Sequence, residues 1–317
     1  MNNICNNINT ILNCIQLSIL LEVSAYPKPG NVHRIRDYPD TRYEHFIVAG
    51  VVVRNAFKQL CNRIIKLKEQ NNNYSKLELG KYILQAIIDS NKWQKGGNVN
   101  LGVVLLLMPL AAASTSVILT SNHFDQNLIR NEIDLILKNS TYNDTINLYK
   151  AIKVANPGGM GKVSKYDLND PDVFKKIKDD NINLFKIFYI SRDWDSISNE
   201  LVSKYRITFE IGLPYMLKSF EKTKDINISI VDTFLKIVSE VPDTLIIRQH
   251  GIKIAKDYSN YAKKIISKGG LSNNENRKII NEWDNKLSKM KVKINPGTTA
   301  DLTVSTLFVA LLSGLRF

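Results

Sequence analysis

The chain has 317 residues, with 43 Lys+Arg against 30 Asp+Glu and a formal charge of +13 at pH 7. At 44% hydrophobic and 23% charged residues it has the composition of a folded globular protein, which excludes disordered, collagen-like and disulfide-scaffold classes. Cys5, Cys14 and Cys61 are too few and too scattered for a disulfide framework or a C-x-x-C zinc site, so a reducing cytoplasm is the expected setting. The basic excess calls for phosphate in some form: nucleic acid, an anionic membrane surface or a polyphosphorylated small molecule.

Met1 to Leu21 carries no charge, yet lacks the basic leader and cleavage site of a secretory signal, so it reads as an amphipathic first helix. An irregular segment follows, Glu22-Val-Ser-Ala-Tyr-Pro27-Lys28-Pro29-Gly30-Asn31-Val-His33-Arg34, with Asp37, Asp40, Glu44 and His45 behind it. The two prolines hold Lys28 in an extended stretch and Gly30-Asn31 permits positive φ, so backbone N–H groups and cations can converge on an anion. Lys28, His33 and Arg34 would neutralise phosphate, and Asp37, Asp40 and Glu44 could hold Mg²⁺ with it. The plainer reading is a Pro-Gly loop entering a helix whose capping box is Thr41-Arg-Tyr-Glu44.

From there the apolar spacing is helical almost throughout, and alternation of period two is nearly absent. Helices are expected over about 41–69, 75–94, 98–119, 125–138, 143–155, 194–220, 228–241, 244–268, 273–290 and 299–314, giving one large all-α domain over 1–317 with buried apolar central helices. The asparagine run 71–73 reads as a helix–helix connection. Lys95-Gly-Gly-Asn98-Val-Asn100-Leu-Gly102 opens a stretch, Leu101 to Thr120, without any charge. Its length would span a bilayer, but Pro109, the Ser114-Thr115-Ser116 cluster and the polar glycine-rich entry favour a buried core helix, so no membrane association is expected. Asn98 and Asn100 at that helix start can donate to phosphate or ribose, or Asn98 can simply cap the helix.

Asn156-Pro-Gly-Gly-Met-Gly161-Lys162-Val163 is the longest break. It invites a phosphate-loop reading that fails, because Asn156 stands where the first glycine belongs and Val163 follows the lysine. Lys162 remains a candidate anion contact. Pro242-Asp243-Thr244 starts a helix carrying Arg248, Gly269-Gly270 stops it, and Ile294-Asn-Pro-Gly297-Thr298-Thr299-Ala-Asp301 opens the last helix with amides able to meet a phosphate. His123 and His250 have no partner at metal spacing, and no serine-nucleophile elbow, zinc-protease helix or dinucleotide fingerprint is present.

The ordered set of Glu22-Val-Ser, Pro27-Lys-Pro-Gly30, the acidic 37–44 stretch, Asn98-x-Asn100-Leu-Gly102, Pro157-Gly-Gly-x-Gly161, Pro242-Asp-Thr244 and Asn295-Pro-Gly-Thr-Thr-Ala-Asp301 resembles the triphosphoribosyl-dephospho-CoA synthase family over nearly the whole chain. The resemblance implies an all-α enzyme that moves the triphosphoribosyl part of ATP to 3′-dephospho-CoA and releases adenine, making a prosthetic-group precursor for acyl carrier proteins. It implies ATP and dephospho-CoA as small-molecule partners, Mg²⁺ with the ATP, and no nucleic acid. Lys28, Arg34, Lys162 and Arg248 are then the triphosphate contacts, with Asn31, Asn98, Asn100 and Thr298 also on substrate. Asp37, Asp40 and Asp301 are the metal or electrostatic carboxylates, and His33 or Glu44 the base. The sequence departs from the bacterial pattern at 98–102, where those members often show Asn-Thr-His-Lys-Gly, and no Arg-Gly-Glu-Ala-type segment is evident mid-chain. Two other readings stay open: a nucleosidase or phosphohydrolase on the same scaffold, and a nucleic-acid binder using the lysine-rich stretches 253–268 and 286–293.

Overall fold

The computed structural model describes residues 2–70, 73–121, 123–159 and 161–317, with side chains from Asn7 onward. The Cys5 side chain, Asn71 and Asn72 of the asparagine connection, and Met160 of the glycine-rich break lie outside the described residues. Among those residues the regular elements are helical, with a single isolated bridge between His33 and Arg36, so the all-α expectation holds. In order they are α1 Asn2–Ser24, α2 Tyr43–Val52, α3 Arg54–Lys68, α4 Leu79–Trp93, α5 Leu101–Ser121, α6 Gln126–Lys138, α7 Tyr142–Ala155, α8 Val173–Asp179, α9 Leu184–Ser191, α10 Ser196–Val202, α11 Leu213–Thr223, α12 Ile226–Glu240, α13 Thr244–His250, α14 Ile252–Ser267, α15 Asn274–Ser288 and α16 Gly297–Leu312. A π-helical turn, Ile207–Gly212, precedes α11.

Short polar side chains set many of the starts by accepting from the first free backbone N–H groups. Asp125, Asn183, Asp195, Asp225 and Asn273 do so for α6, α9, α10, α12 and α15. Thr141 and Asp144 form a reciprocal capping box on α7. Three of the long expected helices are divided. The 41–69 stretch breaks at Val53, and 244–268 breaks at Gly251, whose φ of +85° ends α13 before α14 begins. The 194–220 stretch is interrupted where Lys204 and Tyr205 take positive φ, and α8 and α9 fill a region where no helix was expected.

The chain forms two compact units, one of residues 1–16 and 48–205, the other of 17–47 and 206–317. Two of the crossings fall inside α1 and α2, so no linker composition marks them. In the first unit α5 packs against α3, α4, α6, α7 and α10, and it is buried from Val103 through Val117. It is long and apolar enough to cross a membrane, but 83% of its most apolar window is covered by protein, as a core helix requires. In the second unit α12 packs against α11, α14 and α16. Close approach is built in: a Cβ on Gly212 would lie 2.3 Å from Thr306 Oγ1.

Candidate active site

The loop between α1 and α2 carries the densest set of candidate residues, and the second unit fixes it at many points. Asn227 on α12 clamps the Tyr26 peptide, accepting from its N–H at 3.0 Å and donating to its carbonyl at 2.8 Å. Tyr258 on α14 donates to the Pro29 carbonyl at 2.6 Å. Gly30 takes φ +82°, and a Cβ there would sit 2.2 Å from the Ile294 carbonyl oxygen, so only glycine fits. Asn31 is buried and donates to the Pro296 carbonyl at 3.5 Å, tying the loop to the segment that opens α16.

The loop's centre is a carboxylate on another helix. Asp284 of α15 is buried and accepts from Gly30 N at 3.3 Å, His33 Nε2 at 3.2 Å, and Arg36 Nε and Nη2 at 3.2 and 3.1 Å. An ionised carboxylate only accepts, so His33 carries its hydrogen on Nε2 and leaves Nδ1 as a bare acceptor. That Nδ1 is buried without a partner, and burial outweighs the Asp284 hydrogen bond in holding the imidazole below its ordinary pKa. Nearby, the Tyr38 hydroxyl is also buried and unpartnered, and burial pushes it up to about 12. Lys293 lies 4.2 Å from the Tyr38 ring centre.

Several expected roles change once burial is known. Lys28 is fully buried, its ammonium donating to the Glu22 carboxylate at 2.5 Å and the Glu22 carbonyl at 2.6 Å. Burial pushes Lys28 down and Glu22 up while their mutual attraction opposes both shifts. A cation so enclosed cannot be the open triphosphate contact that its sequence setting suggested. His33 is likewise sealed, so it orders the loop and has no path to an acceptor hydroxyl in this arrangement. Helix α2 starts at Tyr43, too late for Thr41 and Glu44 to form the expected capping box; Asp37 Oδ1 accepts from Tyr43 N at 2.8 Å, and Glu44 pairs with Arg42 at 2.8 Å.

The loop's outer face holds the accessible charge. Arg34 is exposed, its guanidinium 4.2 Å from the Tyr26 ring centre. Asp37 is about half exposed, and Asp40 is 74% exposed and 3.5 Å from Lys293. Asp301 is half-buried and sits past the first turn of α16, and Arg248 is exposed in the last turn of α13. Among the described residues no three of His, Cys, Asp and Glu are grouped to hold a metal ion, so Asp37, Asp40 and Asp301 are not a ready-made metal cage.

At the start of α16 the Thr299 amide already has a partner. Asp243 is buried and its carboxylate accepts from Leu245 N and Ile246 N at 2.8 and 3.0 Å, capping α13, and from Thr299 N and Oγ1 at 2.7 and 2.8 Å. Burial pushes its carboxyl up against those donors. One side chain thus accepts at two helix starts, and of the Gly-Thr-Thr amides the Thr299 N–H is taken by Asp243. Thr298 is buried and accepts from Thr244 Oγ1 at 3.3 Å.

In the first unit, Asn98 is exposed and caps α5 by accepting from Leu101 N at 3.0 Å, the simpler of its two readings. Asn100 is buried with Nδ2 unpartnered. Lys162 is exposed on an open groove formed by residues 162–170 with Lys176 and Asp180.

A family model described as CitG, ATP:dephospho-CoA triphosphoribosyl transferase, matches residues 8–316. The chain belongs to this family. It is therefore a transferase, and neither a hydrolytic enzyme on the same scaffold nor a nucleic-acid binder is favoured. A crystal structure of an Archaeoglobus fulgidus protein assigned as a triphosphoribosyl-dephospho-CoA synthase is similar at 25% identity with a TM-score of 0.61, covering 84% of this chain and 99% of that one. No curated protein sequence matches.

Sequence reasoning passed over Asp284 and Arg36. A signal existed for Asp284: it lies four residues after Ile280 and three before Leu287, both buried, so it is a charge on the apolar stripe of α15. Such a residue needs a buried partner. Arg36 had no comparable mark.

Proposed function

We propose that the chain carries out its family's reaction, with the accessible edge of the α1–α2 loop as the donor-side surface. The bond from adenine to the ribose anomeric carbon breaks, a bond from the acceptor hydroxyl of dephospho-CoA forms there, and the hydroxyl proton is balanced by the one adenine gains on leaving. The anomeric carbon becomes cation-like during the exchange, and a fixed carboxylate lowers the energy of that charge. Asp37 and Asp40 are suited to this because the loop beneath them is held by Asp284, Asn227, Tyr258 and the Lys28–Glu22 pair. Arg34 would meet phosphate. Mg²⁺ belongs to the substrate as the counter-ion of the triphosphate, where it neutralises charge. Lys162 in the first unit and Arg248 in the second are further exposed cations, and Asp301 is a further carboxylate candidate.

The observation that carries this reading is the family match over residues 8–316, which includes every one of these segments. A cytoplasmic enzyme is the accompanying proposal, consistent with Cys61 being a buried thiol that accepts from Thr115 Oγ1 at 3.2 Å. A carrier protein as eventual recipient of the product extends it, as the resemblance implies. The test is mass spectrometry of purified protein incubated with ATP, Mg²⁺ and dephospho-CoA. Free adenine together with a triphosphoribosyl adduct is expected; ribose triphosphate without an adduct, or no adenine at all, overturns the proposal.

A further inference from the structure

Lys293, in the segment between α15 and α16, is neither sealed like Lys28 nor freely exposed like Arg34. Its side chain keeps 29% exposure, and its ammonium lies 4.2 Å from the centre of the Tyr38 ring and 3.5 Å from Asp40 Oδ1. Both anchors are fixed in place. Tyr38 and Thr41 exchange backbone hydrogen bonds of 3.1 and 3.2 Å, closing the turn that carries Asp40, and the Tyr38 side chain is buried with Val23 and Val32. On the other side, the Lys293 carbonyl accepts from His250 Nε2 at 2.8 Å, and the Ile294 carbonyl stands where a Cβ on Gly30 would collide. The backbone of Lys293 is thereby held against the loop, and its side chain reaches a carboxylate of the outer face.

Stability gives little reason for this placement, because an ion pair whose carboxylate is 74% exposed adds little to folding. The aromatic ring does more. A cation over its face is attracted by the ring's negative charge and held in one direction. Much of the freedom of a long side chain is then lost before anything binds, so an anion meets a preorganised cation. The carboxylate partner is weakly held at 3.5 Å, and a polyphosphate offers several charged oxygens in place of one.

We propose that Lys293 is a polyphosphate contact on the α1–α2 loop, and that the anion displaces Asp40 from its ammonium. Lys293 then does what the sequence suggested for Lys28, and the Asp40 carboxylate is released to face a developing positive charge. That the anion is the triphosphate of ATP, and the charge the anomeric centre, rests on the triphosphoribosyl-transfer reading; the exchange of partners does not.

The test is calorimetric titration of the whole protein with inorganic tripolyphosphate, followed by adenine-release kinetics with ATP, Mg²⁺ and dephospho-CoA. Lys293→Met keeps an unbranched stem on the Tyr38 ring and removes the charge, so tripolyphosphate affinity should fall about tenfold or more, while Lys293→Arg keeps most of it. Asp40→Asn removes the competitor and should tighten tripolyphosphate binding. In the Lys293→Met background that gain should shrink; an undiminished gain means plain charge repulsion and refutes the exchange. In turnover, Lys293→Met should raise KM for ATP more than it lowers kcat, and Asp40→Asn should lower kcat. Affinity in Lys293→Met within about twofold of wild type, or no tripolyphosphate binding by the wild type, overturns the proposal. Binding that depends on Lys293 in a protein that releases no adenine supports the contact and refutes the reaction; adenine release with unchanged KM in Lys293→Met does the reverse.

Discussion

Replacing Asp284 by alanine should be among the most damaging single changes in the second unit. The carboxylate joins Gly30 N, His33 Nε2, Arg36 Nε and Arg36 Nη2, and its side chain is 3% exposed. Breaking a buried charge pair by removing one partner costs about 3–5 kcal/mol. Arg36 is 24% exposed and can recover part of its hydration, which places the expectation near the lower end, about 3 kcal/mol. Asp284→Asn should cost less, because its one amide oxygen can still accept from some of these donors, although not from Gly30 N and the Arg36 guanidinium together. Urea denaturation at pH 7 of wild type and both variants measures the order, with adenine release as the second readout. Alanine within 1 kcal/mol of wild type, or asparagine worse than alanine, would refute the idea that this carboxylate holds the loop.

Gly30→Ala should destabilise more than Gly97→Ala. Both positions have positive φ, costing an alanine about 1–2 kcal/mol, but only at Gly30 would the Cβ meet backbone, 2.2 Å from the Ile294 oxygen. Denaturation of both variants isolates the close approach, and equal losses would argue against it. Asp232 gives a pH-dependent case: burial raises its carboxyl to about 7 although Leu271 N donates to it at 2.6 Å. Between its unfolded value near 4 and about 7 the folded state holds a proton that the unfolded state has lost. Stability contributed by this group is therefore present below pH 4, declines as pH rises to 7, and is level above, with about 4 kcal/mol as the ceiling. In Asp232→Asn that decline should vanish, so the variant gains on wild type from pH 4 to 7; parallel pH–stability curves would show that Asp232 is not the titrating group.

The helical class and the core helix α5 were legible because they follow from local rules of apolar spacing, and the Asn98 cap was one of two readings its sequence allowed. The divisions at Val53 and Gly251 show where those rules stop. Gly251 could have been read as a stop, since glycine readily takes the φ of +85° found there. Val53 keeps ordinary helical angles, φ −65° and ψ −17°, and nothing local announces a break.

The α1–α2 loop was legible as an irregular, charge-dense segment, whereas the surroundings of each residue in it were not, for a single physical reason. Sequence shows that Lys28, His33, Arg34, Asp37 and Asp40 are close along the chain, but not which of them faces water. That is decided by partners far away in sequence, Asp284 above all. Lys28 and Glu22 are six residues apart, yet nothing local predicts that burial will enclose them together. Once the enclosed charges are assigned to holding the loop, the exposed Arg34, Asp37 and Asp40 become the better candidates for chemistry. The same reasoning separates Asn98, exposed and spent on a cap, from Asn100, buried and unspent.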